Sequence, residues 1–356
     1  MMSAKYMALA LAVLLPGCTM APNYVRPEAP VAEAWPDDLM PKGTVLAQAT
    51  DQLASEIGWK TFFTDQHLQR LIQLALDNNR DLRVSALNIE RARGLYQVQR
   101  ADLMPGVSAS GESSNKGVSA DLSTTGEQTV SRQHALSVGV TSYELDFFGR
   151  IQSLKDKALE TYLGTEEAYR SARLSLVSEV AQAYLALVAD RERLNIATET
   201  LKSQQASYEM IARRHAVGVS SELDLRQAQT SVDTARVDIA RYSGQVAKDI
   251  TALSLLAGTK VTPDMLPAKA LSELPVWPVS LPSTVLLQRP DILQAEHTLK
   301  AANADIGAAR ANFFPRISLT ANIGTASNEL SHLFDGGTGI WPFLPQVSLP
   351  IFEGGR

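Results

Sequence analysis

The chain repeats itself. Asp81-Leu82, Arg100-Ala101, Pro105 and Val107-Ser108 return as Asp291-Ile292, Arg310-Ala311, Pro315 and Ile317-Ser318, each 210 residues further on. A period of that size is a half-domain rather than a solenoid unit of roughly 20 to 50 residues, so the fold should carry pseudo-twofold internal symmetry. Each copy reads as helix, proline break, alternating strand, loop, second strand and a Gly-Arg close. The closing segments are Leu145-Asp-Phe-Phe-Gly149-Arg150 and Leu349-Pro-Ile-Phe-Glu-Gly-Gly355-Arg356. After Arg150 the first copy runs on for roughly a hundred residues of helical pattern, whereas the second copy stops. The chain is therefore expected to be a C-terminally truncated fragment.

The N-terminus sets the compartment. Lys5 provides a sparse positive region, and Met7 to Leu15 is apolar but too short to span a bilayer. Leu15-Pro16-Gly17-Cys18 resembles a lipobox, so residues 1–17 read as a signal peptide and Cys18 as the site of lipidation. Thr19 rather than Asp follows, which in bacterial lipoproteins implies export to the outer membrane, with palmitate as one of the anchoring chains. Cys18 is the only cysteine, so no intrachain disulfide forms. Residues 18–64 are expected to be a lipid-anchored extended arm, because Pro22, Pro27, Pro30, Pro36 and Pro41 deny the segment up to residue 50 regular structure.

Composition excludes several functions. The net charge of −5 carries no nucleic-acid footprint. No run of 18 apolar residues occurs, so a membrane crossing would have to be made by strands. The five histidines (67, 134, 215, 297 and 332) have no partner at metal-ligand spacing, and no phosphate-binding glycine loop appears. Asp146 near Arg150 and Asp291 after Arg289 read as caps and ion pairs at strand–helix joints. No catalytic residue, metal or cofactor is predicted, and the chain is not expected to be an enzyme.

Two patterns remain. From Asp65 to Leu103 apolar residues follow helical spacing, interrupted at Asn78-Asn79 and stopped by Pro105. Ile151 to about His215 carries an unbroken stripe at steps of three or four, a rod of roughly 95 Å. Ala216 to Ser220 reverses it, with Gly218 free to take positive φ. Ser221 and Asp224 then cap a shorter return helix that ends at Gly258. The surplus length of the outgoing arm suggests that it also includes helix running beside the root of the strands or an equatorial region.

The strands alternate. Ile317, Leu319, Ala321 and Ile323 interleave with small polar residues, as do Val347, Leu349 and Ile351, and Leu136, Val138 and Val140. A change of parity at Tyr143 predicts a bulge. Val107 to Asn115 alternates least. Gly111–Arg132 and Gly324–Gly339 read as long outer loops, with Trp341 and Phe343 in an interfacial girdle. A half-buried soluble sheet gives the same alternation. If the strands face lipid, however, four cannot close a barrel, and several chains must share one.

Several segments resemble one family in order along the whole chain. They are Cys18 to Pro27, Trp59 to Thr64, Ser142 to Arg150, Gly218 to Gln229, Gln288 to Glu296 and Ala301 to Pro315. The chain resembles the outer membrane factors of tripartite RND-type efflux systems, the NodT-type lipoproteins within the TolC-like family. The resemblance implies a mainly α fold with a small β part: long antiparallel α-helical hairpins plus four transmembrane β-strands, assembled as a trimeric α/β barrel of twelve strands. It implies as partners a homotrimer, a periplasmic adaptor (membrane fusion) protein, an inner-membrane RND transporter and outer membrane lipid, with no nucleic acid. The hairpin tip, Val217, Gly218 and Val219, would dock the adaptor. Gate carboxylates belong to a second hairpin that this chain does not contain.

The expected organisation is a first repeat over 65–258, an equatorial linker over 259–282 and a second repeat over 283–356, cut after its second strand. The expected function is passive export of drugs or other small molecules from periplasm to exterior. The alternatives are a periplasmic coiled-coil adaptor lipoprotein, which would lack the duplication, and a soluble lipoprotein enzyme, which would need a convergent polar site.

Overall fold

The computed structural model describes residues 19–28, 58–124, 126–266, 283–352 and 354. Cys18, the leader and most of the expected linker lie outside the described residues. The chain divides into two compact units, one helical (29–89 and 165–294) and one built on a sheet (1–28, 90–164 and 295–356).

In the helical unit a one-turn helix α1 (Trp59–Phe62) precedes α2 (Gln66–Asn78). Asp65 caps α2: its Oδ1 accepts from the amides of His67 at 2.7 Å and Leu68 at 3.0 Å. Leu68, Leu71, Ile72 and Ala75 then fall on one face and are buried. They pack with Leu176, Val177, Val180, Tyr184 and Leu187 of α4 (Arg150–Ala216) and with Leu253 and Ala257 of α5 (Glu222–Ala257). Tyr184 is fully buried, and its hydroxyl donates to Asp65 Oδ2 at 3.1 Å. Burial, then the Asp65 charge, pushes the phenol well above its ordinary range.

The Asn78-Asn79 interruption is a joint between α2 and α3 (Arg80–Ala101). Asn79 Oδ1 accepts from the Leu82 amide at 2.9 Å, while its Nδ2 donates to the Leu256 carbonyl at 2.9 Å. Gly258 ends α5 in the left-handed region at φ 66, against the carbonyl of Asn78.

Helix α4 holds 67 residues without a proline; Arg150–Gly164 belongs to the sheet unit and the remainder to the helical unit, in line with the surplus length read from the sequence. By composition it contains a window apolar enough to cross a bilayer, with mean hydropathy 1.2. Leu176, Val177, Val180 and Leu187 are buried in the core, while Leu174 is exposed.

The sheet is antiparallel. Strand β1 (Val107–Val118) pairs with β2 (Thr129–Glu144), and β2 with β3 (Arg316–Ser327), which carries β4 (Gly339–Ile340) and β5 (Phe343–Ser348) on its far side. β4 and β5 are one fourth strand interrupted at Trp341-Pro342. Gly324↔Ile340 and Ala321↔Phe343 keep one register, and Asn322 N still donates to the Pro342 carbonyl at 3.1 Å. The predicted bulge lies between Val140 and Tyr143, with Ser142 at φ 55.

The predicted loops are too long. β1 pairs residue for residue from Val107↔Val140 to Val118↔Thr129, which leaves 119–128, and β3 runs to Ser327, which leaves 328–338 before β4. Small polar residues can occupy both faces of a strand beyond an apolar band, and a regular ladder satisfies the amides and carbonyls that face the partner strand.

Gly258→Ala should lower the thermal midpoint of the detergent-solubilised protein, followed by far-UV circular dichroism. A left-handed alanine costs about 1–3 kcal/mol, and here its Cβ would also collide with Asn78 O. Gly94→Ala, inside α3 with open space around it, should leave the midpoint unchanged or raise it, by about 0.5–1 kcal/mol of helix propensity.

Candidate functional site

Residues opposed across an antiparallel ladder share a face. On this sheet Leu136, Val138 and Val140 of β2 share one with Ile323 and Ala321 of β3, and through them with Phe343 and Val347 of β5. That face is bare: Ile323 is 71% exposed and Val347 65%. The opposite face carries Ser108, Ser110, Ser137, Asn322 and Gln346, with Ser110 and Ser137 hydroxyls 3.0 Å apart. Ile317 to Ile323 gives about 20 Å of apolar strand at about 3.3 Å per residue. Past Leu136 the same face turns polar at His134 and Arg132 on β2 and at Ser113 and Asn115 on β1. There the strands leave the apolar layer.

The bulge keeps Tyr143 on the apolar face opposite Leu319, and its hydroxyl donates to the Leu103 carbonyl at 2.9 Å. Just below, Arg150 grips Glu144 with both ends of its guanidinium, Nε to Oε1 at 2.8 Å and Nη2 to Oε2 at 2.7 Å. The pair is half-buried, and the hydrogen bonds that Arg150 donates to Glu144 hold its guanidinium above its usual range. Glu144, not Asp146, is thus the partner of Arg150. Asp146 accepts from the Gln152 amide at 2.8 Å and caps the start of α4. Asp291 pairs with Arg289 at 2.7 Å, the structural role expected of it, and Arg289 holds its carboxyl below the usual range. Phe148 stacks on Phe314 with centroids 4.8 Å apart, joining the strand–helix turns of the two repeats.

Helix α6 (Pro290–Ala311) buries Ala301, Ala304, Gly307, Ala308 and Ala311. It meets the first turns of α4 through a polar seam, with His297 Nδ1 2.6 Å from Glu160 Oε2 and Lys157 Nζ 2.9 Å from Asp305 Oδ2. The apolar stripe gives no signal for this seam, and the sequence reading missed it. The described arm lies on the same elements. Thr19 Oγ1 is 3.4 Å from Ser153 Oγ, Asn303 Nδ2 donates to the Pro22 carbonyl at 2.7 Å, and Arg26 pairs with Glu296.

At the hairpin tip Gly218 stands at φ 78. Its amide bonds the His215 carbonyl at 2.9 Å, and the Val219 amide bonds the Arg214 carbonyl at 2.9 Å, a Schellman closure. Val217 and Val219 are 74% and 65% exposed. The capping box is complete, with Asp224 N to Ser221 Oγ at 3.1 Å and Ser221 N to Asp224 Oδ2 at 3.0 Å. Among the described residues no group of three His, Cys, Asp or Glu could hold a metal.

The family described as outer membrane efflux protein matches residues 71–259 and 281–356. The chain belongs to this family. The toluene efflux pump outer membrane protein TtgC of Pseudomonas putida is 49% identical over 99% of this chain and 73% of its own length. The antibiotic efflux pump outer membrane protein ArpC of Pseudomonas putida matches to the same extent. Outer membrane protein OprJ of Pseudomonas aeruginosa is 44% identical over 98% of this chain and 72% of its own. Among solved structures, a membrane protein from Pseudomonas aeruginosa superposes with a TM-score of 0.87 at 44% identity, covering 95% of this chain and 75% of that one. The open state of the Neisseria gonorrhoeae MtrE outer membrane channel superposes at 0.81 with 36% identity, covering 95% and 74%. As a member of the family the chain is an outer-membrane efflux channel protein and not an enzyme, and the bare apolar face is its lipid-facing wall.

The Ser221 hydroxyl, then its amide, holds the Asp224 carboxyl below its usual range. A depressed acid contributes fully above the unfolded value of about 3.9 and loses its contribution as pH falls through the lower folded value. Amides 218–224 should therefore exchange hydrogen faster, after correction for intrinsic rates, as pH drops through the carboxylate range. Asp224→Asn should exchange fast throughout and abolish that pH dependence.

Proposed function

We propose that the protein is the exit duct of a tripartite efflux pump and that it conducts small molecules passively from periplasm to exterior. The observation that supports this most directly is a sheet with one bare apolar face, one small-polar face and two edges unpaired among the described residues, in the chain that also carries the capped helical hairpin. Three copies would supply twelve strands and close the barrel, with the small-polar face lining a wet lumen. Relatives named for toluene and antibiotic efflux point to apolar drugs and solvents as the cargo class.

The energy for export would come from an inner-membrane RND transporter, reached through a periplasmic adaptor docking on Val217, Gly218 and Val219. Support for the tip lies in its chemistry: both valines are exposed while the Gly218 and Val219 amides are satisfied within the turn. Lipid on Cys18, after removal of residues 1–17, would tether the arm. Thr19, the next residue, lies beside Ser153 in the first turn of α4, at the level where strand gives way to helix and a membrane interface belongs.

Full-length protein extracted in detergent should run as a trimer by light scattering and give discrete conductance in planar bilayers. A water-soluble monomer without conductance would refute the duct. Val217→Asp with Val219→Asp should leave trimer and conductance intact while lowering the minimal inhibitory concentration of pump substrates at least fourfold in cells. Unchanged resistance would remove the tip from the docking surface.

A further inference from the structure

On the lipid-facing wall the chemistry changes within two residues. Leu136 of β2, opposite Gly111 of β1 and Thr325 of β3, closes the apolar band. The next residue on that face is His134, between Ser113 and Ser327, and the one after it is Arg132, opposite Asn115. At about 3.3 Å per residue, His134 stands about 7 Å and Arg132 about 13 Å beyond Leu136 along the strand. Loops 119–128 and 328–338 lie at this end of the strands, and helices α3, α4 and α6 join the sheet at the other, so this end is the outer one.

The patch is cationic, and its charge is not spent inside the chain. Arg132 is exposed and His134 half-buried, and among the described residues neither side chain makes an ion pair or a hydrogen bond. Carboxylates stay off this face. Glu112, the one acid of β1, has the opposite parity, and Asp121 and Glu127 belong to the loop beyond Val130. Glu329 and Asp335 of the other loop are turned onto His332, at 3.6 and 2.5 Å.

Wall and cation together define a ligand. What lies beside a lipid-facing strand just past its hydrocarbon contacts is a headgroup, and an arginine fork matches phosphate with two parallel hydrogen bonds. In the outer leaflet of a bacterial outer membrane that layer holds lipid A, the phosphorylated disaccharide anchor of lipopolysaccharide. We infer that Arg132 and His134, flanked by Ser113, Asn115 and Ser327, form a site for a lipid A phosphate on the outer surface of the wall. Arg132 supplies the fork, the His134 ring and the Asn115 amide supply further donors to phosphate or sugar, and the exposed Leu136, Val138 and Ile323 receive the acyl chains. The inference rests on the bare face being the lipid-facing wall, and adds to that wall a lipid chosen by its headgroup.

The test is lipid titration of the full-length protein in detergent, read by native mass spectrometry. Bis-phosphorylated lipid A should bind at least tenfold more tightly than lipid A stripped of both phosphates, and at least tenfold more tightly than phosphatidylglycerol. Arg132→Gln with His134→Gln should abolish that preference. Lys116→Gln, on the small-polar face of β1, should leave it intact. Equal binding of phosphatidylglycerol or of the stripped lipid by the unaltered protein overturns the inference, whether or not the variants fold. An unchanged preference in the double variant, or an equal loss in Lys116→Gln, overturns the site as well. Trp341, 76% exposed on the apolar face, separates this inference from the reading beneath it. Its fluorescence should be quenched in vesicles of brominated phosphatidylcholine, judged against Trp341→Phe. Quenching without a headgroup preference overturns the lipid A site alone, and no quenching overturns the wall on which it rests.

Discussion

An amide or carbonyl that faces hydrocarbon with no partner costs several kcal/mol, and that constraint organises the sheet unit. Inside the chain it is met by full ladders from Val107↔Val140 through Ala321↔Phe343, even where Pro342 interrupts the fourth strand. Among the described residues the two outer edges have no ladder. In the proposed duct further copies complete that wall, and the alternation of small polar and apolar residues decides which surface of it holds water.

What keeps the wall upright is polar. Strand β2 passes into α4 over a two-pronged Glu144–Arg150 pair and an Asp146 cap, and α6 lies against α4 through His297–Glu160 and Lys157–Asp305. Ion pairs at this level of exposure add little stability singly. Their geometry is selective, however, and a bidentate guanidinium fixes direction as well as distance. The apolar contribution at the same level is modest, resting on alanines and the Phe148–Phe314 stack. The helical unit is the reverse: a dense core of Leu68, Ile72, Val180, Tyr184 and Leu253, with Asp65 both capping α2 and accepting the hydrogen bond of the Tyr184 hydroxyl.

Features with a local cause were legible in the sequence. The bulge showed as a change of parity at Tyr143, the joint as Asn78-Asn79, the tip as Gly218 followed by Ser221 and Asp224, and the symmetry as a spacing of 210 residues. Features caused by distant residues were not. The far half of β1 carries polar side chains on both faces, so alternation vanished just where pairing with β2 continues to Val118. Glu144 gave no sign that it, rather than Asp146, would receive Arg150. The His297–Glu160 contact joins residues 137 positions apart and follows from how α6 lies on α4, which no periodicity encodes. The arm was legible as irregular but not as seated, since its contacts, Thr19 with the Ser153 hydroxyl and the Pro22 carbonyl with the Asn303 amide, are made only in the fold.

The Schellman closure at Gly218 has a thermodynamic corollary. Because the amides of Gly218 and Val219 are already bonded within the turn, whatever approaches the two valines strips water from hydrocarbon alone and displaces no main-chain hydrogen bond. Recognition of that kind is weakly directional and forgiving of drift in the opposing surface. One such apex can therefore be shared by several interchangeable counterparts, with discrimination left to groups farther up the helices.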